Sequence, residues 1–125
     1  MRTEASPLRV LVVEDDRNSA FALEMLLKHE GVAATVATTG EQAIDLADTW
    51  RPQIVLLDIG LPGLDGYEVA RRLRKDPATE DLLLIAVSGY GQEEDRATAI
   101  QAGFDRHLTK PADYSELRAA MAARR

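Results

Sequence analysis

Four places in the chain carry side chains suited to a hard cation and a phosphoryl group. They are the acidic run Glu14-Asp15-Asp16, the lone carboxylate Asp58, the hydroxyl of Ser88 and the ammonium of Lys110. Taken singly, each has an ordinary structural reading: a turn carboxylate, a helix-entry hydroxyl, a solvated cation. Taken together they end apolar stretches that each resemble a strand, which points to a shared purpose. Crowded carboxylates repel one another, and their pKa values rise unless a cation offsets the charge. An oxygen-only cluster suits a hard ion, and Mg²⁺ takes one or two carboxylates, keeps several waters and bridges readily to phosphate oxygens. Asp58 is then placed as a nucleophile that forms an acyl phosphate. Phosphoryl transfer depends chiefly on positioning and charge neutralisation, which the metal and Lys110 would supply, with Ser88 donating to a phosphoryl oxygen.

The elements that must position these groups can be read from the pattern. Residues 54–57, Ile-Val-Leu-Leu, form an unbroken apolar run into Asp58, and a loop with three glycines and a proline follows. Such a run reads as a strand buried on both faces. Residues 8–13, 33–37, 82–87 and 104–108 read as the other strands. Between them lie helices from Asn18 to about His29, from the Thr39 cap to Trp50, from the Asp65 cap to about Lys75 and from about Gln92 to Ala102. A final helix follows Asp113. Thr39 with Gln42, Asp65 with Glu68 and Asp113 with Glu116 each fit a capping box. Gly31, Pro52, Asp76-Pro77 and Gly103 supply the stops. Ala43, Ile44 and Ala47 form the inner face of the second helix, and Leu117, Ala120 and Met121 that of the last.

Five strand–helix alternations imply right-handed crossovers and a parallel sheet covered on both faces. The expected fold is therefore α/β, a flavodoxin-like (βα)5 sandwich with strand order 2-1-3-4-5 and its switch point between strands 1 and 3. In such a sheet the residues that follow different strands converge at one edge.

Bulk properties narrow the class. The 125 residues make one domain with a core of about 8–121, and 46% of them are apolar. There is no cysteine, which excludes disulfides and thiolate zinc sites and fits a cytoplasmic protein. A net charge of −6 argues against direct nucleic-acid binding. No apolar run approaches the roughly 18 residues needed for membrane insertion, and the N-terminus lacks a secretory h-region.

The segments Val12-Val13-Glu14-Asp15-Asp16, Leu57-Asp58 through Asp65-Gly66, Val87-Ser88-Gly89 and Leu108-Thr109-Lys110-Pro111 resemble the receiver domain of two-component response regulators. The resemblance spans about Leu8 to Met121. It implies that Asp58 accepts a phosphoryl group from a phosphohistidine on a sensor histidine kinase or histidine phosphotransfer protein, with Mg²⁺ required. It maps Asp15 as a direct metal ligand, Glu14 as a water-mediated one and the Gly60 carbonyl as the third. Asp16 either joins them or only caps the first helix. Lys110 pairs with the acyl phosphate, and Lys110-Pro111 resembles the family's cis peptide. Gly60, Gly89 and Tyr90 flank the phosphoryl site, with Tyr90 as a candidate shield against water. One position departs from the pattern: His107 stands where the family usually has an inward-turning tyrosine or phenylalanine, which implies weaker or pH-dependent coupling to the fifth strand.

The resulting expectation is a phosphoacceptor switch, with self-phosphotransfer and autodephosphorylation as its only chemistry. It is either a single-domain regulator or, from the wording of residues 58–74 and 88–110, the receiver of a hybrid histidine kinase. The alternative is a phosphorylation-independent, receiver-like binding module, which the full set Asp15, Asp58, Ser88 and Lys110 argues against. A haloacid-dehalogenase-type phosphohydrolase would need a second acid two residues after the nucleophile, where Gly60 stands. No Gly-x-Gly-x-x-Gly follows the first strand, so a nucleotide-binding domain does not fit.

Overall fold

The computed structural model describes residues 8–61, 63–89, 96–110 and 113–122. Ten elements alternate along the chain: β1 (Arg9–Val13), α1 (Arg17–His29), β2 (Ala33–Ala37), α2 (Gly40–Thr49), β3 (Ile54–Asp58), α3 (Gly66–Lys75), β4 (Leu83–Ser88), α4 (Arg96–Ala102), β5 (Arg106–Thr109) and α5 (Tyr114–Ala122). All strand pairings are parallel, and the order is β2-β1-β3-β4-β5, as expected. The expected fourth-helix start near Gln92, along with Tyr90 and Pro111, lies outside the described residues.

Alternation along the strands divides the core in two. Leu11, Val13, Val55, Leu57, Leu84 and Ala86 point to the side covered by α2, α3 and α4. Val10, Val12, Ile54, Leu56, Leu83 and Ile85 point to the side covered by α1 and α5. β3 lies at the centre and is buried at every position, Asp58 included. A carboxylate that ends such a strand inherits the rigidity of the whole sheet, because two neighbouring strands fix its backbone.

The caps show how the helices are aimed. Thr39 Oγ1 accepts from the Gln42 amide at 3.1 Å, but Gln42 Oε1 accepts from Thr38 N at 2.7 Å, one residue upstream of the expected partner. Asp65 Oδ1 accepts from the Glu68 amide at 3.0 Å, whereas the Glu68 carboxylate pairs with Arg71 and Arg72 instead of reaching back. Asp113 and Glu116 form the full reciprocal box.

The fifth strand differs from its expected bounds. It starts at Arg106 rather than at Phe104 and runs on through Thr109. Gly103, at φ 115°, ends α4, and the Phe104 amide donates to the Ala99 carbonyl. Phe104 itself packs into the core, so its side chain anchors the turn before the ladder begins. Asp105 is held by Arg74 at 2.7 Å and by the Leu84 amide at 2.9 Å. The same guanidinium donates to the carbonyls of Gly103, Glu80 and Leu82, tying α3 to the entry of both β4 and β5. β4 likewise begins one residue later than expected, at Leu83, and includes Ser88.

One glycine bears directly on the position of Asp58. A Cβ on Gly66 would lie 2.6 Å from Ile59 Cα and 2.9 Å from the Asp58 carbonyl oxygen, both backbone atoms that cannot swing aside. Helix propensity alone favours alanine over glycine by about 1 kcal/mol. The collision reverses that sign. We expect Gly66→Ala to lower unfolding free energy by about 1–3 kcal/mol, read as a lower denaturant midpoint at unchanged slope; a higher midpoint would contradict the close approach.

Candidate functional site

The chain leaves β1, β3, β4 and β5 at the same edge, and the predicted side chains meet there. Glu14 continues the ladder past β1 through its amide, which donates to the Ala37 carbonyl at 3.0 Å. Asp58 is the last residue of β3 and pairs in register with Val87. Lys110 follows β5, and its amide donates to the Ser88 carbonyl at 2.8 Å. Because β1 and β3 are neighbours whose crossovers run to opposite sides, the crevice opens at the point expected for ligands of open α/β sheets.

Lys110 holds the centre. Its Nζ donates to Glu14 Oε1 at 2.5 Å and to Asp58 Oδ2 at 3.1 Å. Glu14 and Asp58 are only 6% and 8% exposed, so both carboxylates have lost most of their water. Burial pushes the Glu14 carboxyl above the ordinary glutamate range; hydrogen bonds from Lys110 and from the Asp16 amide pull it back in part, and the Asp58 charge adds to the rise. Burial acts to lower the Lys110 ammonium, but its hydrogen bonds to Glu14 and Asp58, reinforced by their charges, outweigh this and leave it raised. The lysine is therefore firmly protonated at neutral pH.

Around this pair the other predicted residues take distinct positions. Asp15 is exposed at the rim, and one oxygen each from Glu14, Asp15 and Asp58 lies within 4.8 Å of the other two. Gly60 donates its amide to Asp58 Oδ1 at 2.8 Å, fixing the rotamer of the carboxylate. Asp16 is occupied as the α1 N-cap: its Oδ2 accepts from the Ser19 amide at 3.0 Å and the Ser19 hydroxyl at 2.6 Å, which holds its carboxyl below the usual aspartate range. Asp16 thus takes the capping role, one of the two expected for it. Ser88 is fully buried, and its Oγ lies 2.8 Å from His107 Nε2. Gly89 follows β4 and is half-buried, while Tyr90 lies outside the described residues.

Two contacts had no signal in the sequence. Pairing of Lys110 with Glu14, and of Ser88 with His107, depends on which strands are neighbours. A cleft of about 280 Å³ also opens beside the charged groups, between α1 and α5, with Leu23, Leu26 and Leu117 among its apolar walls.

Residues 10–122 match the family model described as the response regulator receiver domain. The chain belongs to the response regulator receiver domain family. Among its relatives, a 14.6 kDa protein encoded in the sodA1 3′ region of Leptolyngbya boryana is 39% identical over 108 residues, covering 86% of this chain and 82% of that protein. The response regulator MprA of Mycolicibacterium vanbaalenii is 38% identical over 117 residues, 94% of this chain but only 50% of MprA. The chain thus spans about half the length of several of the curated regulators it matches. Among solved structures, the receiver domain of the sensor histidine kinase PA1611 from Pseudomonas aeruginosa superposes with a TM-score of 0.87 at 29% identity, covering 95% of this chain and 98% of that one. That structure has a magnesium ion coordinated in the active-site cleft. A CheY-like receiver domain protein of Methanospirillum hungatei gives a TM-score of 0.85 at 26% identity, covering 94% and 92%. As a receiver domain the chain carries the family's acidic pocket, and no helix among its described residues is long and apolar enough to cross a membrane.

Proposed function

We propose that this receiver accepts a phosphoryl group on Asp58 from the phosphohistidine of a sensor histidine kinase or histidine phosphotransfer protein, and that the adduct changes which partner it binds. The observation that carries this reading is the ammonium of Lys110 set between Asp58 and Glu14, beside the exposed carboxylate of Asp15. A carboxylate oxygen attacks phosphorus, the new O–P bond forms as the N–P bond of the donor breaks, and the imidazole leaves with the bonding pair. Asp58 needs no base for this, because it is already a carboxylate. The Gly60 amide keeps Oδ1 fixed, so Oδ2, the oxygen facing Lys110, is the natural nucleophile. Attack on phosphorus spreads negative charge over the phosphoryl oxygens, and Lys110 can leave Glu14 to follow that charge while Ser88 donates its hydroxyl. Hydrolysis of the acyl phosphate returns the carboxylate.

The donor set fits a hard divalent cation. Three carboxylates offer only oxygen, and their atoms lie close enough to share one ion. Asp15 and Asp58 would hold it directly, Glu14 through water, and the Gly60 carbonyl would complete the protein's share. Bound there, Mg²⁺ supplies positive charge that neutralises the incoming phosphoryl oxygens. The magnesium site of the PA1611 receiver supports this assignment.

Acetyl phosphate tests the reading without a cognate kinase. Incubated with it and Mg²⁺, the protein is expected to gain the mass of one phosphoryl group, to lose it to hydroxylamine, and to gain none when a chelator replaces the metal. A mass spectrum unchanged under all three conditions would refute the proposal and favour a phosphorylation-independent binding module.

A further inference from the structure

β5 carries Lys110 to the site, yet its own residues bury little that would fix its height against β4. It is an edge strand of four residues, and of these only Leu108 is an apolar side chain packed against the core. Pairing register is firmly set where one face of a strand is buried and weakly set where it is not. The end remote from the site supplies what the strand lacks. Asp105 lies just ahead of β5, where its amide donates to the Leu84 carbonyl at 2.8 Å and its carboxylate accepts from the Leu84 amide at 2.9 Å. One residue thus takes both backbone groups that Leu84 turns toward the edge. The carboxylate stands in for a strand carbonyl, because the ladder itself begins only at Arg106. Arg74 braces that carboxylate from α3 through Nη2 at 2.7 Å. Its Nε donates to the Gly103 carbonyl, and its Nη1 to those of Glu80 and Leu82.

We infer that Asp105 is a positioning residue for Lys110, acting with Arg74 as a register clamp at the end of β5 opposite the reaction. Lys110 lies five residues beyond Asp105 along an extended chain. At about 3.3 Å per residue the clamp sets a position roughly 17 Å away, and an extended strand has no slack to absorb an error. A slip of β5 by two residues, the smallest that keeps its faces, would move Lys110 by about 7 Å. That would take it out of reach of the Asp58 oxygen it now meets at 3.1 Å. Fraying has the same consequence, because the Lys110 amide, donating to the Ser88 carbonyl, is the last rung of the same ladder. An arginine suits the brace, since its planar fork reaches a carboxylate and several carbonyls at once. Those carbonyls belong to the α3–β4 connection and to the Gly103 turn, so the clamp is anchored to more than β4 alone.

This inference rests on Asp58 as phosphoacceptor with Lys110 acting on the phosphoryl charge, and the tests keep the two readings apart. Asp105→Ala should slow single-turnover phosphorylation by acetyl phosphate at saturating Mg²⁺, measured well below its melting temperature. The expected loss is about three- to tenfold, on the scale of local opening of an edge strand and smaller than removal of the lysine itself. Mg²⁺ affinity by isothermal titration should not fall, because a displaced ammonium competes less for Glu14. Asp105→Asn, whose amide oxygen still accepts from Leu84 and Arg74, should stay within about twofold. In a Lys110→Ala background, Asp105→Ala should slow the reaction no further. Thr79→Ala controls for lost stability, since it removes a buried hydrogen bond to the Leu73 carbonyl at the end of α3. It should lower the melting temperature and leave the rate unchanged. Hydrogen exchange at the Lys110 amide should quicken about tenfold in Asp105→Ala but not in Thr79→Ala. A wild-type rate in Asp105→Ala, effects of Asp105→Ala and Lys110→Ala that multiply, or equal slowing by Thr79→Ala would overturn the clamp. If Asp105→Ala does not fold, Arg74→Lys, which keeps the charge but not the fork, should show the same split, and a wild-type rate there overturns it. If the wild type gains no phosphoryl group, the phosphoacceptor reading falls, while exchange at the Lys110 amide still decides the clamp.

Discussion

Asp58→Asn is expected to leave a folded domain that takes up no phosphoryl group from acetyl phosphate at any Mg²⁺ concentration. The amide oxygen can still accept from Gly60 N, as Oδ1 does at 2.8 Å, so the loop after β3 keeps its anchor. The other terminus becomes an NH₂ group facing a Lys110 ammonium 3.1 Å away, two donors with nothing to share, and the lysine turns fully to Glu14. One of two buried carboxylates has been removed, and the charge of Asp58 is among the causes that raise the Glu14 carboxyl. The melting temperature at neutral pH should therefore not fall below that of the wild type. Intact mass and thermal melts check both halves. A phosphoryl adduct on the variant would move the acceptor elsewhere, and a large loss of stability would mean that Asp58 holds the fold rather than the chemistry.

Lys110→Ala should separate metal binding from phosphorylation. Without the ammonium, Glu14 and Asp58 face each other uncompensated in a site that exposes little of either. Removing one partner of a fully buried ion pair costs about 3–5 kcal/mol. The Lys110 side chain is 31% exposed, so water screens part of this and about 1–2 kcal/mol is the realistic loss. The folded lysine has a raised pKa, so its contribution is complete below the ordinary lysine range and is lost only as pH climbs through the folded value. The deficit should accordingly be constant across neutral pH. Mg²⁺ should restore more stability to the variant than to the wild type, because the site it enters is more negative and no ammonium competes for Glu14. Phosphorylation by acetyl phosphate at saturating Mg²⁺ should nevertheless fall by about 10²-fold, the usual cost of losing one preorganised donor to a developing charge. Isothermal titration and single-turnover mass spectrometry measure the two quantities. If they moved in the same direction, Lys110 would be a structural counter-ion and nothing more.

Much of this was legible in the chain. Period and punctuation are local, so the five strand–helix alternations, the caps at Thr39, Asp65 and Asp113, and the burial of 54–57 follow from residues a few positions apart. A parallel sheet then obliges the residues after its strands to converge, which is why Glu14, Asp58, Ser88 and Lys110 could be grouped before any distance was known. The bounds of β5 were less legible, because Phe104 has the composition of a strand residue but is claimed by the core, while Asp105 is claimed by Arg74 from α3.

The sequence by itself thus determined the fold class and the residue types at the functional edge. Only the tertiary structure decided how those residues divide the work. Asp15 and Asp16 are adjacent and alike, yet one stands at the rim of the carboxylate cluster and the other is bound to Ser19, because α1 begins at Arg17 and Asp16 is its N-cap. Lys110 pairs with an acid 96 positions away, and Ser88 with an imidazole 19 positions away on the next strand. Such choices depend on strand order and on which face each side chain takes, and both follow from packing the whole sheet rather than from any local run of residues.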